Sequence, residues 1–235
     1  MVEKAVTRKR TRATHVGVSD KLSVKVYKAM KRDIIRGVHP AGEALTEKEL
    51  ARKYKASRTP VREGALRLQE DRLLRIVPHR GYFVSQITLQ ELTDIYEYRA
   101  AVECAAAELA ARRATDPELL QQLLELAETS YRTDSIESYM QFIEADTAFH
   151  VGIARLSRNQ MLIRAVNEAR CQMERIMYAA IDIHYFGEVP TREHRAIMKA
   201  IVEHNPDEAR RRMYDHIIQS KGKVLRLTVS SAVGS

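Results

Sequence analysis

Asp146 and His150 stand four residues apart in the stretch SYMQFIEADTAFHVGIARLS. On a helix that spacing places both side chains on one face, a turn apart. The same face carries Tyr139, Phe142, Ile143, Phe149, Ile153 and Leu156, so a carboxylate and an imidazole point where an aliphatic pair would be the easy choice. Two further histidines repeat the pattern. His194 in REHRAIMKAI shares a face with Ile197, Met198 and Ile201, and His216 in MYDHIIQS shares one with Met213 and Ser220. One aspartate and three histidines on inward stripes of three helices form an N3O donor set, which suits a divalent zinc, nickel, manganese, cobalt or iron ion. The competing reading makes each histidine a hydrogen-bonded core residue, with Asp146 paired to His150. His184, near a loop, and His204, just before Asn205-Pro206, are weaker candidates.

Arg99 is a second misplaced charge. Its stripe is Leu92, Ile95, Val102, Ala106 and Leu109. A guanidinium does not shed its proton, so burying it demands an anion. Either Glu103 or Asp146 supplies one internally, or the fork waits for the carboxylate of a small ligand.

These residues need helices to hold them. Thr88 with Glu91 forms a capping box that opens a long helix to about Thr115, and Asp116-Pro117 opens another. The helix of Asp146 follows, then one from about Asn159 to Ile183, one from Thr191 to His204, and a last one capped by Asn205-Pro206 and running to about Leu227. This half reads as an all-helical bundle of six or seven helices.

The first part of the chain reads differently. Residues 21–37 make a helix stopped by Gly37. Thr46 with Glu49 is a capping box for a short helix to about Tyr54. After Lys55-Ala-Ser-Arg58, Thr59 caps a helix with Pro60 at its first position. Leu74-Arg-Ile-Val77 and Tyr82-Phe-Val84 around Pro78-His-Arg-Gly81 read as a hairpin. Three helices and a hairpin make a winged helix-turn-helix. The fold class is therefore mainly α. Its parts are a basic disordered arm (1–19), a winged helix-turn-helix domain (20–85), a helical metal- and effector-binding domain (86–228) and a flexible tail (229–235).

Charge agrees with this division. Residues 1–85 hold 21 Lys and Arg against 9 Asp and Glu, whereas the remainder holds 18 against 22, within a net charge of +8. A basic segment on a mildly acidic body suits a polyanion partner, here double-stranded DNA. Arg58 and Arg62, at the start of the second helix of the motif, can reach base edges, with Arg67 farther along it. Lys48 and Thr59 suit phosphates, and His79, Arg80 and Gly81 form the wing tip, where the glycine permits close approach to a groove. Cys104 and Cys171 are too few and too far apart for a disulfide framework, and no apolar run nears the roughly 18 residues of a membrane span. A cytoplasmic protein is expected.

LTEKELARKYKASRTPVREGALRLQEDRLL, followed by PHRGYFV, resembles the winged helix-turn-helix of the GntR family of bacterial transcription regulators. The helical half resembles the FCD ligand-binding domain of its FadR-type branch. Together the resemblance covers about residues 20–228. It departs from the family pattern at Gly64, where alanine is usual, and at Asp71-Arg72. A glycine there is expected to loosen the helix by up to ~1 kcal/mol. The resemblance implies a metal held by Asp146, His150, His194 and His216, and an organic-acid effector held by Arg99, with Tyr96, Arg164, Asn167 and Tyr178 as lining residues. It implies a DNA-binding regulator controlled by that acid, acting as a homodimer on a palindromic operator, because one helix-turn-helix reads few base pairs. A metal-sensing regulator is the alternative. A metal-dependent enzyme is the weaker one, since the chain has no nucleophile motif and no glycine-rich phosphate loop.

Overall fold

The computed structural model describes the backbone of residues 16–132, 134–181 and 190–233, and the side chains of 22–132, 134–178 and 190–225. Two compact units meet in the chain at Gln86–Ile87.

In the first unit, α1 (Val16–Ile35) precedes β1 (Ala44–Leu45), α2 (Glu47–Lys53), α3 (Arg58–Glu70), β2 (Leu74–Val77) and β3 (Gly81–Val84). The capping box of α2 is formed: Thr46 Oγ1 accepts from the Glu49 amide, and the Glu49 carboxylate accepts from the Thr46 amide at 3.0 Å. Lys55, at φ 49°, turns the chain between α2 and α3. The cap of α3 is Ser57, not Thr59, so Pro60 falls at the third helical position. Proline is tolerated there because the first-turn amides have no intrahelical acceptor. Val61, Ala65 and Leu68 of α3, Val26, Met30 and Ile34 of α1, Leu50 of α2, and Leu74, Tyr82 and Val84 of the strands are all buried.

Gly64 has a packing reason rather than a loosening one. A Cβ there would stand 3.3 Å from the Tyr27 amide nitrogen, so the glycine lets α3 approach the backbone of α1. β2 and β3 pair antiparallel, with Leu74 opposite Val84 and Val77 opposite Gly81. The two-residue β1 adds to β3, giving the order β1-β3-β2. At Gly81 φ is 98° and a Cβ would lie 2.8 Å from the Leu45 carbonyl oxygen. Contact with β1, already present within the unit, therefore requires the glycine, whatever the wing tip meets.

In the second unit α4 (Leu89–Arg113), α5 (Pro117–Ala127), α6 (Ile136–Leu156), α7 (Gln160–Ile181), α8 (Thr191–Val202) and α9 (Pro206–Val233) make six helices among the described residues. Thr88 and Glu91 form the expected capping box, and Asp116 caps α5. α4 packs against α6, α7, α8 and α9, and so forms the centre of the bundle. Its buried alanines (Ala106, Ala107, Ala110, Ala111) let four helices come close. Phe149, Ile153, Met173, Ile197, Met198, Met213 and Ile217 complete the core. Gly152 lies where α6 meets α5; a Cβ there would collide with the Leu123 side chain. α1 starts at Val16 and α9 continues to Val233, so 16–19 and 229–233 are helical rather than arm and tail. Residues 1–15, 234–235 and the weak candidate His184 lie outside the described residues.

Candidate functional site

α4, the best-covered helix, carries two buried charges. Arg99 and Glu103 are each 1% exposed, and the Arg99 Nε donates to Glu103 Oε1 at 2.7 Å. Four residues apart on one face, they form the internal pair that burial demands. The pair is incomplete: Nη1 and Nη2 of Arg99 are buried and have no hydrogen-bond partner among the described residues. Tyr96 lies behind it, its ring 5.3 Å from the guanidinium carbon and its hydroxyl 3.0 Å from Ser220 Oγ.

His150, His194 and His216 converge from α6, α8 and α9. One ring nitrogen from each lies within 4.8 Å of the others, and all three residues are buried. Asp146 joins them through Oδ1, 3.4 Å from His194 Nε2 and 3.8 Å from His150 Nε2. Three of the four are backed by a charged group. Arg170 of α7 pairs with Oδ2 of Asp146. Glu103 Oε2 lies 2.6 Å from His150 Nδ1, inside ion-pair reach although off the line of a good hydrogen bond. Glu193, in the first turn of α8, bonds His216 Nδ1 at 2.8 Å and also faces Lys223 at 3.5 Å. His194 stacks on Phe149, ring centroids 4.3 Å apart.

Burial sets the protonation of this cluster. Desolvation pushes the pKa of His150 down, and those of His194 and His216 well down, with the neighbouring histidines adding to the effect in the latter two. All three are neutral at pH 7, the form that ligates. Burial alone would raise Asp146, but Arg170 and then the histidines reverse this and hold the carboxyl well below its usual range. Arg99 and His150 do the same for Glu103. The residues fit a divalent ion. Nε2 of His150 and of His194 are buried without a hydrogen-bond partner, next to an ionised Asp146 oxygen. Carboxylates oriented behind ligating imidazoles are the usual support of such a site.

A cavity opens beside the cluster. Its lining includes Arg99, Asp146, Arg170, His216 and Ser220 together with Tyr131, Tyr139, Phe142, Met173 and Met177. The remaining expected lining residues are elsewhere. Arg164 and Asn167 are exposed on the outer side of α7, because the inward stripe runs through Val166, Ala169, Arg170 and Met173. The Asn167 side chain donates to the Ile163 carbonyl one turn back. Tyr178 is packed among Tyr139, Phe142 and Ile143, outside the cavity lining. His204 ends α8 at φ 51° with Nδ1 2.8 Å from the Ala111 carbonyl oxygen, a structural contact. Sequence reasoning missed Arg170, although it falls on the apolar stripe of its helix, and missed Glu193, whose position gives no such signal.

The first unit presents its own charged surface. Lys48, Arg58, Thr59, Arg62, Arg67, His79 and Arg80 are exposed, and Gly81 is half-buried at the wing. At 100° per residue, Thr59 and Leu66 hold the middle of the outward face of α3, with Arg62 beside them and Arg67 about half a turn from Arg58. Leu66 is 54% exposed, an apolar residue on that face that the sequence reading passed over. Glu47 ties the arginines together: its Oε2 lies 2.6 Å from Arg62 Nε and its Oε1 3.7 Å from Arg58 Nε.

Comparison with known proteins adds the family. The gntR family of bacterial regulatory proteins matches residues 22–84, and the FCD domain matches residues 94–219. The chain belongs to the GntR family, with an FCD domain as its helical half. It is a DNA-binding transcriptional regulator of that type. The Nta operon transcriptional regulator of Aminobacter aminovorans is 31% identical over 189 residues, covering 79% of this chain and 86% of that protein. The HTH-type transcriptional repressor RspR of Escherichia coli (strain K12) is 27% identical over 206 residues, 87% of this chain and 89% of its own. A putative GntR transcriptional regulator from Rhodococcus sp. RHA1 shares the fold with a TM-score of 0.72 at 24% identity, over 87% of this chain and 98% of that one. E. coli McbR/YncC does so at 0.69 and 21%, over 87% and 97%. The two sequence relatives and the Rhodococcus protein are named as transcriptional regulators, not as enzymes. Among the described residues no helix is long and apolar enough to cross a membrane.

Proposed function

We propose that this regulator binds a palindromic operator as a homodimer, and that a small carboxylate bound in the FCD bundle beside a divalent metal sets its operator affinity. Arg62 and Arg58 read base edges from α3, with the exposed Leu66 toward thymine methyls. Lys48, Thr59, Arg67, His79 and Arg80 contact the phosphates on either side. In the bundle, Asp146, His150, His194 and His216 would hold the ion, and their N3O set admits zinc, nickel, manganese, cobalt or iron(II). The ion supplies a Lewis-acidic anchor for a ligand oxygen. Arg99 supplies the second anchor.

The observation that carries the reading is the state of Arg99. Two of its three guanidinium nitrogens are buried and unpartnered, on a residue that lines the cavity. A buried donor left unmade is costly, so such a fork suits an incoming carboxylate. The ligand acts only through different affinities for two arrangements of the dimer. Operator binding of the full chain by fluorescence anisotropy, with and without small carboxylic acids and with and without chelator, tests it. An acid-dependent shift that chelation weakens is expected; indifference of operator affinity to every acid refutes it.

A second reading makes the cation the signal, because its donor set is complete without an organic ligand. Operator affinity that follows metal alone would establish it.

A further inference from the structure

The residues lining the cavity are of two kinds, and the difference bears on what fills it. Among the polar ones most groups already have partners. Asp146 is held by Arg170, and Glu193 by His216 and Lys223. The buried nitrogens left without a partner there are Nη1 and Nη2 of Arg99 and Nε of Arg170. These are donors only, and two of them form one fork.

The other lining residues are largely aromatic and thioether. The Tyr131 ring meets Tyr139 edge-on at 4.8 Å and Phe142 at 4.9 Å between centroids, and Tyr139 and Phe142 stack at 6.2 Å. Each of the three is at most 8% exposed. Met173 and Met177 continue this wall. Flat rings and polarizable sulfurs pack well against another flat ring.

A ligand whose carboxylate sits on Arg99 has these rings and sulfurs in the lining available to its body. A sugar acid carries a hydroxyl on nearly every carbon; the Tyr131 and Tyr139 hydroxyls are the polar groups of this set, and the ring faces, Phe142 and the thioethers offer the remaining hydroxyls no partner. A flat apolar body needs none. We infer that the effector is a small aromatic carboxylate rather than a polyhydroxylated sugar acid, its ring against Tyr131, Tyr139 and Phe142. This rests on the carboxylate reading of Arg99 given above.

Calorimetric titration of the full chain, as purified, with benzoate, phenylacetate and glucuronate tests it. The three probes share one carboxylate and differ in the body. At least one aromatic acid should bind tenfold or more tightly than glucuronate, and Phe142→Leu should cut that preference at least threefold while Tyr139→Phe keeps it. The ranking is measured on the unaltered chain, so it stands even if Phe142→Leu fails to fold. Glucuronate binding as tightly as the aromatic acids, or more so, overturns the inference and leaves the carboxylate site in place. No binding of any probe overturns both.

Discussion

Arg99 has two roles, one in the fold and one toward a ligand, and paired substitutions separate them. Arg99→Met removes the cation from a pair whose members are each 1% exposed. Glu103 is then left as a buried carboxylate with His150 2.6 Å away and the more distant charge of Arg170. Breaking a buried pair from one side costs about 3–5 kcal/mol. Because His150 can take up a proton in response, the lower end, ~3 kcal/mol, is expected. Glu103→Gln strands the guanidinium and should cost a similar amount. The double variant Arg99→Met/Glu103→Gln removes both charges together and should recover to within about 1 kcal/mol of the parent, since replacing both members of such a pair is often neutral. Met and Gln match Arg and Glu in helix propensity, so α4 itself is not weakened. Urea unfolding followed by circular dichroism, at pH 7.5 with chelator, measures all four proteins as a double-mutant cycle. Single variants within about 0.5 kcal/mol of the parent, or a double variant as unstable as the two singles summed, would refute the buried pair. The rescued double variant then isolates function: it should bind operator yet ignore the acid. A normal acid response in a folded double variant would show that Arg99 is structural alone.

Removing a donor or its support should be graded. His150→Ala should abolish stoichiometric metal by mass spectrometry and lower the melting temperature, and a fully loaded variant would sink the site. Glu193→Gln, which weakens the hold on His216 Nδ1, should lower metal affinity about 10–100-fold against a competing chelator; unchanged affinity would mean that His216 is not a ligand. The histidine pKa values are depressed, so below about pH 6.5 the unfolded chain takes up protons that the native cluster refuses. Chelated protein should therefore lose stability as pH falls from 7 to 5.5, by up to ~4 kcal/mol per pH unit if all three contribute. A flat profile there would contradict their neutral burial. The depressed carboxylates Asp146 and Glu103 add a separate loss only at more acid pH. At the DNA surface, Arg62→Ala should weaken operator binding roughly tenfold or more and relax discrimination at one base. Glu47→Gln should free Arg62 and Arg58 and raise affinity for scrambled DNA several-fold, and an unaltered ratio of specific to non-specific binding would remove Glu47 from the recognition surface.

The buried polar cluster was legible in the sequence because periodicity reports any polar residue that falls on an apolar stripe. Asp146, His150, His194, His216 and Arg99 all announced themselves that way, and the two capping boxes fixed where α2 and α4 begin. Arg170 obeyed the same rule, yet attention went to Arg164 and Asn167, which one count of the helical period along α7 places outside. Glu193 could not be found by period, since it touches His216 from the first turn of a different helix, a relation that only tertiary packing creates. β1 is too short for alternation to register, and Gly64 and Gly81 owe their glycines to close approaches of α1 and β1 that no local pattern encodes. The same tertiary proximity shapes the electrostatics. Asp146, Glu103 and Glu193 face Arg170, Arg99 and Lys223, so with neutral histidines the buried cluster is formally balanced. A divalent ion among Asp146 and the histidines would leave two positive charges in excess inside a low-dielectric core, and an anion is the cheapest remedy. Arg99, whose Nη1 and Nη2 have no partner among the described residues, lines the cavity through which that anion would arrive. Metal and carboxylate are thus coupled by charge as well as by proximity, and the acid should bind more weakly once the metal is stripped.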